Sequence, residues 1–241
     1  MSLPKKLRAV VARAVYSVLH PGVTVWNPTA AEMADIRSQG FRGQAGQDYF
    51  LFKRYFEKLG RPGVYVDVGA NEPVDNSNTC YFDCVLGWRG VAVEPLNRFA
   101  EAWARERSAR LLAYAATESR QLLRFEEVIS DDGTPFSSVL GSSSKNEKLA
   151  RRTIEVQGER LDALLTSEGL LDIDVMSIDV EGHEMQVLKG LDLSRIKVSV
   201  LIIENNVPAF RGRPEIRDHL AAQGYRLAAR VWHLDDVYVR A

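Results

Sequence analysis

Two rhythms of apolar residues alternate along the chain. One places them three and four apart, as on the face of a helix; the other packs them into short continuous runs, as in a strand covered on both sides. "GQDYFLFKRYFEKLG" has the first, with Phe50, Leu51, Tyr55 and Phe56 on one side and Lys53, Arg54, Glu57 and Lys58 on the other. "VYVDV" from residue 64, "GVAVEP" (90–95), "RLLAYAA" (110–116), "IDVMSIDVEG" (173–182) and "VSVLIIENN" (198–206) have the second. Helical spacing returns between them, from Asn76 to Leu86, in "NRFAEAWARERSA", in "HEMQVLKGLDL" and in "RPEIRDHLAAQG". In the last of these Pro214 stands near the first turn and Gly224 past the end. The alternation predicts an α/β fold with a doubly wound, mostly parallel sheet. "YRLAARVWHLDDVYVR" reads as an antiparallel C-terminal hairpin at its edge.

The remaining stretches are less regular. "LLRFEEV" and "RTIEVQGER" read as strands, the second leading into a short helix. "ISDDGTPFSSVLGSSSKNEKLA" between them has no sustained period, and predicts a long mobile loop near 129–150. At the N-terminus, Leu7, Val10, Val11, Ala14, Val15, Val18 and Leu19 fall on one helical face, with Lys5, Lys6, Arg8 and Arg13 near the other. That run is too short and interrupted to span a bilayer, which takes about 20 apolar residues. It reads as a helix packed on the body or on a second copy of the chain, as in a homodimer. The alternative is a basic amphipathic helix resting on a membrane surface. Residues 1–43 are thus an N-terminal helix and lead-in segment, and 44–241 a single domain.

Composition narrows the class. Apolar residues make up 46% of the chain, enough for a core, and the formal net charge of -1 gives no footing for nucleic acid. The 2 cysteines, Cys80 and Cys84, rule out a disulfide framework and fit a reducing, cytoplasmic setting.

Chemistry concentrates where the strands stop. Asp67, Gly69 and Asn71 end one strand, Glu94 and Pro95 the next, Asp179 another, and Glu204 with Asn205 a fourth. In a parallel sheet these ends share one edge, where α/β proteins hold ligands. Acids tipping buried strands are costly unless paired or solvated, so four together predict a site. Gly69 would let a ligand approach the backbone. Glu94 suits the two hydroxyls of a ribose. The turn after Gly69 lacks the further glycines of a dinucleotide motif, and Glu72 and Asp75 would repel phosphates. A nucleoside without phosphates, held among acids, suggests the cationic S-adenosylmethionine. A nucleotide-cofactor oxidoreductase and a non-catalytic nucleoside-binding module are the alternatives.

"DVGANEPVDNSNT", "GWRGVAVEP" and "SIDVEGHEMQVLKG", in that order and spacing, resemble the FkbM-type family of S-adenosylmethionine-dependent methyltransferases. The upstream "GQAGQDYFL" is similar to that family's Gln-x-x-x-Gln/Glu-Asp segment. The resemblance implies an O-methyltransferase on a Rossmann-like seven-stranded sheet. It implies that Asp67, Gly69 and Asn71 line the methionine and ribose side of the cofactor, and that Asn76 and Ser77, or Asn78 and Thr79, open the next helix beside it. Glu94 would hold the ribose, Thr117 would border the adenine, and Gln47 and Asp48 would close over the amino-acid end. Asp179, Glu204 and Asn205 are similar to the acid-acid-amide set with which some O-methyltransferases hold magnesium, or else form a polar floor. His183 is either the base that takes the acceptor's proton or a cap for the helix after Gly182; Glu181 is the second candidate base. The acceptor would be a small hydroxylated molecule of saccharide, glycolipid or polyketide type.

Overall fold

The structure is a computed structural model that describes residues 16–18, 20–129, 135–139, 150–205 and 213–241. Five apolar runs pair into the centre of one sheet. These are β2 (Val64–Val68), β3 (Arg89–Val93), β4 (Arg110–Leu112), β9 (Asp172–Ile178) and β10 (Lys197–Glu204), all parallel to one another. The hairpin strands β11 (Tyr225–Val231) and β12 (Asp235–Arg240) close one side, β12 running antiparallel to β10. A short β1 (Thr24–Trp26) adds in parallel to β11, so the order is β1-β11-β12-β10-β9-β2-β3-β4. The expected seven strands thus gain an eighth at the edge, contributed by the lead-in segment.

Alternation along β2 explains why both faces need cover. Val64, Val66 and Val68 enter a core with Met176 and Ile178 of β9, roofed by helices α5 (Leu161–Ser167), α6 (Glu184–Lys189) and α7 (Pro214–Ala221). Tyr65 faces the opposite core, with Phe50 and Leu51 of α2 (Gln47–Leu51), Phe82 of α3 (Cys80–Cys84) and Trp103 of α4 (Ala100–Glu106). Helix α1 (Ala30–Ser38) starts on a capping box between Thr29 and Glu32. Helices on both faces of a mostly parallel sheet make the fold the doubly wound α/β class that the pattern predicts.

A second sheet was not expected. The run read as one strand over 110–116 breaks at Ala113 and Tyr114 into β4 and β5 (Ala115–Thr117). Strand β5 joins β6 (Gln121–Ile129), β7 (Pro135–Val139) and β8 (Ala150–Arg160) in the order β5-β8-β6-β7. The segment expected as a loop over 129–150 therefore carries a strand, β7, paired antiparallel to β6; its other residues lie outside those described. Most of the expected N-terminal helix also lies outside them. Tyr16 to Val18 are helical, with Tyr16 buried and Val18 exposed. Among the described residues no helix is long and apolar enough to cross a membrane.

Candidate active site

The tips of β2, β3 and β9 border one cleft of about 440 Å³. It brings together Gln47, Asp67, Gly69, Asn71, Asn76, Ser77, Glu94, Pro95, Asp179, Glu181 and His183 of the expected site. Of the alternative pair Asn78 and Thr79 it takes in Asn78, and it adds Gln44, Tyr114, Phe125 and Ser177, which the motifs did not single out as contacts. Tyr114 comes from the break between the two sheets and Phe125 from β6, so the unexpected sheet walls one end of the cleft.

The sheet itself fixes the cofactor turn. Gly69 and Ala70 both aim their N–H groups at the Val93 carbonyl, at 2.9 and 3.3 Å, and Asp179 donates its N–H to Val68 at 2.9 Å. Gly69 has φ +77°, and a Cβ there would sit 1.8 Å from the Asp179 carbonyl oxygen. The glycine is therefore required by the neighbouring strand tip, a constraint that stands before any ligand arrives. Glu94 is buried, and each of its oxygens accepts one backbone N–H, from Asn71 and from Leu96, both at 3.0 Å. Desolvation pushes its carboxyl up, and those two N–H groups oppose the rise. Each oxygen keeps a second lone pair for a ligand hydroxyl.

The turn after Gly69 is braced from below by a side chain that sequence reading passed over. The Arg107 guanidinium, fully buried, donates to the Pro73 carbonyl (2.6 Å), Ser77 Oγ (3.3 Å) and Thr79 Oγ1 (2.8 Å). It is held in turn by Asp83 at 2.7 Å and the Tyr65 hydroxyl at 3.1 Å, and lies 4.4 Å over the Trp103 ring. Thr79 Oγ1 donates to Asp67 at 2.5 Å. In the sequence Arg107 is one of several charges in "ARERSAR", with no sign of burial. Three non-glycine residues of the cleft, Asn71, Asn76 and Glu181, have positive φ of 47°, 60° and 53°. Backbone held in that sparsely populated region clusters at functional sites.

The second half of the cleft is acidic. The Asp179 and Glu204 carboxyls lie close enough to act on each other. Desolvation, then the neighbouring charges of Glu204 and Asp235, hold Asp179 well above the carboxylate range. Desolvation with Glu181 and Glu184 nearby pushes Glu204 up to about 8. Glu181 is raised by desolvation and by Glu184. His183 occupies the N-cap position of α6, but its ring makes no capping bond; Nε2 meets Thr117 Oγ1 at 3.1 Å. Desolvation lowers its pKa, so it is neutral at pH 7. The stapling belongs to the fully buried Glu184, which accepts the N–H groups of Gly182 at 2.9 Å and Val180 at 3.3 Å and pairs with Arg213.

Four expected contacts lie elsewhere. Thr117 is buried behind His183 and away from the cleft lining. Asp48 is fully buried; it accepts the N–H groups of Arg42 at 2.6 Å and Tyr49 at 2.9 Å, and burial pushes it up to about 6. Glu204 stands behind Asp179 and off the lining. Asn205 donates its Nδ2–H to Asp236 at 2.7 Å, and its Oδ1 accepts the Arg213 N–H at 2.6 Å. With that amide engaged and both Glu204 and Asn205 off the lining, the three residues expected to hold magnesium do not face the cleft together. Among the described residues no cluster of three or more His, Cys, Asp or Glu is placed to hold a metal ion. Gln47 lines the cleft, with its amide spent on Asp235 (2.9 Å) and the Ala45 N–H (2.7 Å).

Two solved structures are similar to the chain. One is a Burkholderia thailandensis 1,6-didemethyltoxoflavin-N1-methyltransferase with bound 1,6-didemethyltoxoflavin and S-adenosylhomocysteine. It matches at TM-score 0.42 and 15% identity, over 100% of this chain and 92% of that one. The other is monomeric WbdD, at TM-score 0.38 and 10% identity, over 95% of this chain and 48% of that one. Both likenesses are too distant to bear on cofactor or acceptor. No curated protein matches the chain. The family described as the methyltransferase FkbM domain matches residues 67–227, from the aspartate of the first strand tip to the closing hairpin. The chain belongs to the FkbM methyltransferase family.

Proposed function

We propose that the cleft binds S-adenosylmethionine and that the protein transfers its methyl group to a hydroxyl of a small saccharide, glycolipid or polyketide-type acceptor. The observation that carries this reading is the charge of the lining. Asp67, Glu72, Asp75, Glu94 and Glu181 line the cleft beside the protonated Asp179, and no described Lys or Arg does. Such a lining suits a sulfonium nucleoside and opposes a phosphate-bearing one.

When bound, the cofactor supplies an electrophilic methyl group. The protein's part is to hold and to deprotonate. Glu94 accepts from the ribose hydroxyls, and the aromatic end of the cleft, Tyr114 and Phe125, takes the base. His183 is the proton acceptor, its ring held against β5 by Thr117. With Nε2–H donated to Thr117, Nδ1 keeps its lone pair for the acceptor's hydroxyl proton. Positioning two reactants in one cleft supplies much of the remaining acceleration.

Titration calorimetry of the purified chain with S-adenosylmethionine tests the cofactor. Saturable one-site binding is expected, weakened about tenfold or more in Glu94→Gln, which loses a charge-assisted hydrogen bond. A folded chain that takes up no heat from the cofactor would sink the reading. Methyl-labelled cofactor with a panel of hydroxylated acceptors then tests the transfer, with an O-methyl signal in the product expected by NMR; label found on nitrogen or carbon overturns the O-methyl assignment.

A further inference from the structure

Among the described residues two buried side-chain polar atoms have no hydrogen-bond partner, Trp26 Nε1 and Asn78 Oδ1. Trp26 lies off the cleft; Asn78 is part of its lining, and only 8% of that residue is exposed. A buried acceptor left unpaired is costly, and its persistence in a cleft calls for a ligand that donates. The orphan is also held in place. Asn78 Nδ2 donates to Ser177 Oγ at 3.1 Å. Its neighbours on both sides are pinned, Ser77 and Thr79 by Arg107, and Thr79 also by Asp67. Ser177 and the pinned neighbours thus hold the Asn78 side chain at the cleft wall.

Its position says which donor it meets. Ser177 pairs in register with Asp67, so Asn78 spans the boundary between β9 and β2. Glu94 follows β3, on the opposite side of β2, and Tyr114, which shares the lining with Phe125, follows β4 beyond it. A nucleoside gripped at Glu94 with its base toward those aromatics directs its 5′ substituent across β2, toward Asn78. With S-adenosylmethionine that substituent ends in an α-ammonium and a carboxylate. An oxygen acceptor in a lining shared with Asp67 and Asp179 selects the ammonium.

We infer that Asn78 is a cofactor-binding residue whose Oδ1 accepts a hydrogen bond from the α-ammonium of the cofactor's amino-acid end. The inference rests on the cofactor reading above and adds to it the group that reads the amine.

The full chain, Asn78→Leu and Asn78→Asp are titrated with three probes. These are S-adenosylmethionine, its decarboxylated analogue (amine kept, carboxylate lost) and methylthioadenosine, which lacks the whole amino-acid end. Asn78→Leu is expected to weaken the first two by about tenfold or more, as for a hydrogen bond to a charged group, and methylthioadenosine by less than about twofold. Asn78→Asp keeps an acceptor and is expected to hold the first two within about threefold. Equal weakening of all three probes overturns the inference in favour of a structural role. So does an unchanged affinity for S-adenosylmethionine, or a decarboxylated analogue that Asn78→Leu binds as well as wild type does. If the leucine variant does not fold, loss of about tenfold or more for S-adenosylmethionine in Asn78→Asp overturns it. A wild-type chain that binds none of the probes removes the cofactor reading and the inference together.

Discussion

Replacing His183 with alanine would take the imidazole out of the cleft while leaving the strand tips at Gly69 and Glu94 intact. On the proposed mechanism kcat falls by about 10²–10⁴, the range for loss of a general base, while cofactor affinity measured by calorimetry stays unchanged. The acidic limb of the wild-type rate profile is expected below the ordinary histidine range. Burial lowers the imidazole's affinity for protons, so it stays a free base further into acid. A kcat unaffected by His183→Ala would move the role to Glu181, which shares the same lining. At this scale the sequence was informative about which residues gather and less so about why. Gly69 reads as room for a ligand, yet the atom its Cβ would strike is the Asp179 carbonyl. That contact joins residues 110 positions apart, beyond the reach of any local pattern. Asn205 reads as a metal ligand, because an amide at a strand tip looks free until its partners Asp236 and Arg213 are placed.

Arg107 caps the C-terminus of helix α4, and through that one residue the helix supports the turn between β2 and α3. Arg107 and Asp83 are both fully buried in their side chains. Arg107→Leu would leave the Asp83 charge, the Pro73 carbonyl and Thr79 without this partner. A loss of about 3–5 kcal/mol is expected, the cost of breaking a buried ion pair from one side, and urea denaturation followed by circular dichroism measures it. The main strands were legible because a doubly covered parallel strand is a continuous apolar run. Of the second sheet only β6 and β8 were, and not their separation from the main sheet. Strand β7 reads "PFSSV", two serines and a proline in five residues, and takes its order from pairing with β6. The division of "RLLAYAA" into β4 and β5 also leaves no local mark, since both halves are equally apolar.

Across the whole molecule the buried acids couple stability to pH. Asp48 and Asp235 are pushed up to about 6 and Glu204 to about 8, each chiefly by desolvation. A carboxyl whose folded pKa is raised binds its proton more tightly in the native state. Its support is complete when it is protonated below the unfolded value, and is lost as pH rises through the folded one. Wild type and Glu204→Gln should therefore have matching urea midpoints near about pH 4, with the variant pulling ahead as pH climbs toward about 8. Equal midpoints throughout that window would show that Glu204 titrates normally.

The contact between Gln47 and Asp235 has a consequence for when the site comes into being. The two residues are 188 positions apart, and the first of them is part of the cleft wall. During synthesis Gln47 emerges early and then waits for the hairpin of β11 and β12 before its amide is fixed. A ribosome-bound chain stalled before Asp235 would already carry the turn at Gly69 and the glutamate at Glu94, yet would lack the last brace of the wall. The ability to grip a small molecule would thus arrive late and abruptly in the protein's making, with the final hairpin as its clock.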